Sequence, residues 1–139
     1  MPNTIPTGMY TLMNVRYSNI IMLPDNSDGT PVIASVKSGG GSNVWHIEEQ
    51  GNGRYTLRNR GESTYAWVGN RQPLGATVVG RPSSQQFTIE ETREPHKYTI
   101  GTSDTSHYWG LPDGEMGSAV ELRASSTDKG NWWTFTRTY

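Results

Sequence analysis

An all-β chain made from one unit used three times is the fold class this sequence predicts, and three recurring landmarks predict it. Tyr-Thr-(Leu/Ile) occurs at Tyr10-Thr11-Leu12, Tyr55-Thr56-Leu57 and Tyr98-Thr99-Ile100. Nineteen or twenty residues after each Tyr comes Gly-x-x-Val, at Gly29-Thr30-Pro31-Val32, Gly75-Ala76-Thr77-Val78 and Gly117-Ser118-Ala119-Val120. Each copy then closes on (Asn/Gln)-x-(Trp/Phe)-x-(Ile/Phe), at Asn43-Val44-Trp45-His46-Ile47, Gln85-Gln86-Phe87-Thr88-Ile89 and Asn131-Trp132-Trp133-Thr134-Phe135. Ordered landmarks that recur in this way across 139 residues mark a repeat architecture.

Within a copy the elements are short strands. No segment sustains a helical period, and runs such as Val32-Ile33-Ala34-Ser35-Val36 or Phe87-Thr88-Ile89 are bounded by turn clusters. Those clusters are Pro24-Asp25-Asn26-Ser27-Asp28-Gly29, Ser38-Gly39-Gly40-Gly41-Ser42, Gln50-Gly51-Asn52-Gly53 and Pro112-Asp113-Gly114. About four strands per copy are expected, near Tyr10, Leu23, Val32 and Trp45 in the first. The repeats then span roughly 8–51, 53–94 and 96–139 of a single domain, 1–139. A propeller needs at least four blades, and a solenoid needs end repeats unlike its middle one. Three similar copies instead close on themselves about a pseudo-threefold axis, as a β-trefoil.

Positions that stay apolar in all three copies read as core. These are Leu12, Leu57 and Ile100; Leu23, Val68 and Leu111; Val32, Val78 and Val120; Trp45, Phe87 and Trp133; and Ile47, Ile89 and Phe135. Strand alternation extends the assignment. With Leu23, Val68 and Leu111 inward, Ile21, Ala66 and Trp109 also face the core, while Met22, Trp67 and Gly110 face outward. Trp109 is thus expected to be a packing residue and Trp67 an exposed one.

Composition narrows the function classes. A net charge of −1, from 12 basic and 13 acidic residues scattered singly, offers no cationic stripe for a phosphate backbone, so nucleic acid is not an expected partner. The absence of cysteine removes disulfides and thiolate metal sites. The start Met1-Pro2-Asn3-Thr4-Ile5-Pro6 lacks a basic, then apolar, leader, and no run is long enough to span a bilayer. The expectation is a cytoplasmic protein without membrane insertion. His46, His96 and His107 have no metal-ligand spacing, and no nucleophile–His–acid set is discernible, so neither catalysis nor a cofactor is expected. Glu48-Glu49 and Glu90-Glu91 follow the closing motif in two copies and read as solvated repeat features. Asp25-Asn26-Ser27-Asp28-Gly29 reads as a turn, since it lacks the bidentate Glu and spacing of a calcium loop.

The (Asn/Gln)-x-(Trp/Phe) triplets resemble the QxW motif of ricin-B-type β-trefoil lectins. With the Tyr-Thr-Leu starts and Asp28-Gly29-Thr30-Pro31-Val32, the whole chain is similar to the small cytosolic trefoil lectins of mushroom fruiting bodies. That scaffold also hosts fungal inhibitors of cysteine and serine proteases, so the resemblance implies a fold and two functions. The lectin branch implies glycan binding, without chemistry, in a defence role. Galactose-binding members carry an Asp twelve residues after the repeat's Tyr and an aromatic stacker six residues after the Gly of Gly-x-x-Val. Here those positions hold Met22, Trp67 and Gly110, and Ser35, Arg81 and Arg123, so simple galactose recognition is not expected.

One mushroom lectin type places a single glycan site in the second repeat, on an exposed Trp and the loop entering the closing aromatic. Trp67 matches that Trp, and Gly80, Arg81, Pro82, Ser83, Ser84, Gln85 and Gln86 match that loop. This chain departs by a longer connection through Asn70-Arg71-Gln72-Pro73, and by Ser and Gln where that type carries Asn and Tyr. Tyr108, equivalent to Ile20 and Tyr65, is a rim candidate. An indole suits the apolar face of a pyranose, although burying about 100 Å² there is worth only about 2.5 kcal/mol and needs polar contacts beside it. The inhibitor branch instead implies a protease partner met by a rigid loop, either Asn14-Val15-Arg16-Tyr17 or Asn70-Arg71-Gln72-Pro73. Trp132 is turned outward by alternation, as a second contact surface, a homodimer patch, or a residue covered by the N-terminal segment or Tyr139.

Overall fold

The computed structural model describes residues 5–36, 41–103 and 107–138. The first repeat contributes β1 (Gly8–Asn14), β2 (Ile20–Met22), β3 (Ile33–Ser35) and β4 (Trp45–Glu49). The second contributes β5 (Arg54–Asn59), β6 (Tyr65–Trp67), β7 (Val79–Arg81) and β8 (Phe87–Glu91). The third contributes β9 (Tyr98–Thr102), β10 (Tyr108–Gly110), β11 (Glu121–Arg123) and β12 (Trp133–Arg137). Short 3-10 turns at Gly41–Asn43 and Lys129–Asn131 lead into β4 and β12, and no such turn precedes β8.

Six strands close a barrel. Antiparallel pairs run β1–β4, β4–β5, β5–β8, β8–β9, β9–β12 and back from β12 to β1, so the barrel has no free edge. The remaining strands form three hairpins, β2–β3, β6–β7 and β10–β11. A ring of main-chain bonds joins them: Val32 N–H donates to Val78 O, Val78 N–H to Val120 O, and Val120 N–H to Val32 O, each 2.9 Å. The Gly of Gly-x-x-Val makes the approach to this ring. Gly29, Gly75 and Gly117 have φ of 89°, 88° and 87°, where a side chain is disfavoured. This is the β-trefoil read from the landmarks.

Alternation builds the core. In β1, Tyr10, Leu12 and Asn14 are buried between the half-buried Thr11 and the exposed Met13. Ile21, Ala66 and Trp109 are all buried, as are Leu23, Val68 and Leu111. Trp109 packs edge-on to Phe87, ring centroids 5.0 Å apart, so the larger ring in the third repeat meets the smaller closing aromatic of the second. Trp45 and Trp133 donate their indole N–H to Ile21 O and Trp109 O, a bond Phe87 cannot make. Phe135 is only partly buried, with edge contacts to Tyr10 and Tyr98.

One expectation is corrected. Trp132 points away from the barrel, but it is 1% exposed. Its N–H donates to Ser126 O at 2.8 Å, and the Arg93 guanidinium lies 5.4 Å from its ring centre. Facing out of the barrel is therefore not facing water, because the segment before β12 folds back over the ring. Tyr139, Met1 to Thr4, and Ser38, Gly39 and Gly40 of the glycine cluster lie outside the described residues.

Candidate functional site

The expected glycan platform lies on the second hairpin. Trp67 ends β6 and is half-buried, not open. Arg81, two residues along the partner strand from Val79, the register mate of Trp67, has its guanidinium carbon 4.5 Å from the indole centre. The same guanidinium holds Asp28 of the first repeat, Nε to Oδ1 at 3.0 Å and Nη2 to Oδ2 at 3.5 Å. Gly69 approaches the ring from the loop side: a Cβ there would stand 3.1 Å from Trp67 and 3.2 Å from the Gln72 amide nitrogen. The platform is an indole capped by an arginine that a carboxylate holds down.

The rest of the expected set divides. Gly80 is buried where its strand meets Leu23 and Thr64, so it serves packing. Pro82, Ser83 and Ser84 are exposed beyond β7. Gln85 turns inward, accepting from the N–H of Val68 and Gly69 at 2.9 Å each and donating to Gly69 O. It thereby fixes the base of the Trp67 loop, in place of the 3-10 turns of the other repeats. The Gln86 side chain accepts from Asn52. Tyr108 is on β10 of the third repeat and lines a different cavity, of about 300 Å³, together with Trp132.

The corresponding hairpin of the third repeat is built otherwise. Asn131 Oδ1 and the Arg123 side chain occupy the space a Cβ on Gly110 would need. Beside them is a cavity of about 490 Å³ whose walls include Leu74, Glu121, Arg123 and Asp128. The first and third hairpin loops share a clamp absent from the second. Asp25 accepts from Ser27 N–H and the Thr30 hydroxyl, and Asp113 accepts from Glu115 N–H and the Ser118 hydroxyl. The hydroxyls first, then the amides, hold both carboxyls below the ordinary aspartate range. Counted back from Gly75, the second loop has Arg71 at the aspartate position and Ala76 at the hydroxyl position.

Arg71 is exposed with φ of 54°, a left-handed backbone. The other inhibitor candidate is shaped differently. Asn14 is fully buried, donates Nδ2 to Gly130 O at 2.8 Å, and accepts at Oδ1 from the N–H of Arg16 and Tyr17, both 3.1 Å. Val15 N–H donates to Trp132 O and Ser18 N–H to Asn14 O, both 2.9 Å. Tyr17 packs on the core, and Arg16 is left at the tip, its side chain 56% exposed and 3.3 Å from Asp128. A single buried amide thus fixes a turn that carries an arginine outward.

Residues 3–137 match the sequence profile described as peptidase inhibitor I66. The chain belongs to this family. No curated protein is significantly similar to it. Among solved structures, the Rhizoctonia solani agglutinin superposes with a TM-score of 0.89 at 21% identity, over 99% of this chain and 100% of that one. The Macrolepiota procera ricin B-like lectin, in complex with lactose, gives 0.88 at 18% identity, over 98% and 99%. A designed threefold-symmetric protein, ThreeFoil, gives 0.87 at 21% identity, over 94% and 99%. At such identities these likenesses establish the trefoil scaffold and nothing finer.

Asp28 was not foreseen as part of the Trp67 site. Its signal was its place before the Gly of Gly-x-x-Val, where the other copies have Leu74 and Met116. Asn14 and Asn59 were likewise legible only as repeats of each other: both are fully buried, and both brace the turn after the first strand of a repeat through their side chains.

Proposed function

We propose that this protein is a peptidase inhibitor whose contact loop is the turn at residues 14–19, with Arg16 offered to a peptidase that cleaves after basic residues. The buried Asn14 clamp beneath an exposed arginine carries the reading, in a chain that belongs to an inhibitor family. Rigidity matters because a loop already held in its bound shape loses little entropy on docking and resists rearrangement in the cleft. Arg71 fits less well, since its own backbone is left-handed at φ 54°, whereas in the Arg16 turn the positive φ, 62°, falls on Ser18. Inhibition assays against trypsin and papain test the proposal. Arg16→Ala is expected to weaken trypsin inhibition by about a hundredfold, the scale of a buried arginine anchor, and Arg71→Ala to leave it unchanged. The reverse pattern moves the contact to the second loop, and no inhibition of either enzyme rejects the reading.

Glycan binding at Trp67 is the second reading, favoured by the outward indole flanked by Arg81 and Gly69. It requires Arg81 to swing aside or to join the ligand. A glycan array comparing wild type with Trp67→Ala tests it, with single-site affinities expected at about micromolar to millimolar. An array without a hit removes this reading and leaves the first intact.

A further inference from the structure

The cavity of about 300 Å³ beside Trp132 belongs to neither reading above. It is lined by two aromatic residues, Trp132 and Tyr108, and by two acidic ones, Glu90 and Glu91, of which Glu91 also accepts from His96 N–H at 3.0 Å. Among the described residues that line it, Arg93 is the one basic residue beside two acidic ones. The position of that base is informative. Arg93 is exposed, and its guanidinium lies over the Trp132 ring at 5.4 Å from the centroid. Trp132 itself is fixed, its N–H bonded to Ser126 O. An aromatic face with adjacent carboxylates is the standard chemistry for an organic cation, which gains from the ring's quadrupole and from the carboxylates together.

We propose that this cavity is a binding site for a guanidinium or ammonium group brought by another molecule, with Arg93 standing as the chain's own occupant of its aromatic face. The contrast with Trp67 supports the assignment. There the stacked arginine is anchored by Asp28 in a two-point ion pair. Over Trp132 the stacked arginine meets no such two-point latch among the described residues, so an incoming cation exchanges with it at small cost. The volume lies at the lower end of that of ligand pockets and suits a single headgroup rather than a long chain. The cation could arrive on a small amine or on a basic side chain of a partner peptide, and both present the same headgroup.

Agmatine, which carries a guanidinium and an ammonium without a carboxylate, is the probe for the small-molecule source, and an Arg-containing tripeptide with blocked ends is the probe for the peptide source. The readout is the Trp132 indole N–H resonance in ¹⁵N-labelled full-length protein. Agmatine is expected to shift it with about millimolar affinity, Arg93→Ala to tighten binding by about threefold or more, and Glu90→Gln with Glu91→Gln to weaken it by about tenfold. Binding seen only in Arg93→Ala still supports the proposal, because it shows the site freed of its occupant. A resonance that neither probe moves in wild type or in Arg93→Ala overturns it. So does binding untouched by the double glutamine substitution, or a stronger response to a neutral methyl glycoside than to either cation.

Discussion

The second and third repeats place an indole one residue apart on equivalent strands, and that single step moves it from the surface to the core. In β6 the pair is Ala66-Trp67, small inside and large outside; in β10 it is Trp109-Gly110, large inside and nothing outside. The strand period of two makes the step decisive, since neighbours on a strand point to opposite faces. Everything nearby follows suit. Outside the second hairpin the space is filled by Arg81 stacked on Trp67, and outside the third by Asn131 and Arg123 reaching over Gly110. A threefold scaffold therefore specifies its core by what the copies share and its surfaces by where large side chains are placed.

Truncation should separate the two indoles most sharply. Trp109→Ala removes a fully buried ring and its contact with Phe87, and is expected to cost about 3–5 kcal/mol. Trp67→Ala gives up only a half-buried ring, and about 1 kcal/mol or less is expected. Urea denaturation of both variants measures the difference, and equal losses would break the comparison.

The loops entering the closing aromatics give the next largest effect. Gln85 serves two main-chain N–H groups, so Gln85→Ala should leave both without their acceptor and cost about 1–3 kcal/mol. In the third repeat the matching N–H, that of Leu111, is served by Gly130 O within the 3-10 turn. Asn131 donates Nδ2 to Ser125 O, but its buried Oδ1 has no partner among the described residues. Asn131→Ala should therefore cost less than Gln85→Ala. A larger loss at Asn131 would show that the turn, not the glutamine, is the more demanding of the two closures.

These differences also explain what could be read from the chain in advance. The trefoil, its four strands per repeat and the core sets were legible because each landmark occurs three times and packing residues keep a strict period, so Val32, Val78 and Val120 identify one another. The burial of Trp109 and the outward turn of Trp67 followed from the same period. Trp132 did not, because its cover comes from Arg93 and from Ser126, residues brought over it by loop folding that has no period. The Asp28 latch on Arg81 was hidden for a related reason: it joins two repeats, and a motif read within one repeat cannot contain it.

The tyrosines that open these two repeats offer a test confined to alkaline solution. Burial raises the phenol pKa of both Tyr55 and Tyr98 above the ordinary 10.0, and Ile5 N–H donating to the Tyr55 oxygen only partly offsets this. For a group whose folded pKa is raised, the folded state binds more protons between the two pKa values, so stability is intact below pH 10 and falls as pH rises above it. Tyr98→Phe should flatten that fall at little structural cost. Tyr55→Phe should flatten it too, but also lose the bond that holds Ile5. Urea midpoints from neutral to alkaline pH separate the two cases.

The smallest expected effect concerns the latch itself. Asp28 and Arg81 are exposed enough for solvent to screen them, so Asp28→Asn should change stability by less than about 1 kcal/mol. Its consequence lies in access. Trp45, Trp109, Trp132 and Trp133 are each no more than 1% exposed, so collisional quenching of tryptophan fluorescence by acrylamide reports almost wholly on Trp67. Releasing the carboxylate leaves Arg81 with only its stacking contact and should raise the quenching constant. High salt should do the same to wild type and little to Asp28→Asn, since the pair it weakens is already gone. Unaltered quenching in Asp28→Asn would mean that stacking alone keeps Arg81 over the indole, which would make the two arginine-capped tryptophans equivalent and remove the reason for treating one arginine as latched and the other as exchangeable.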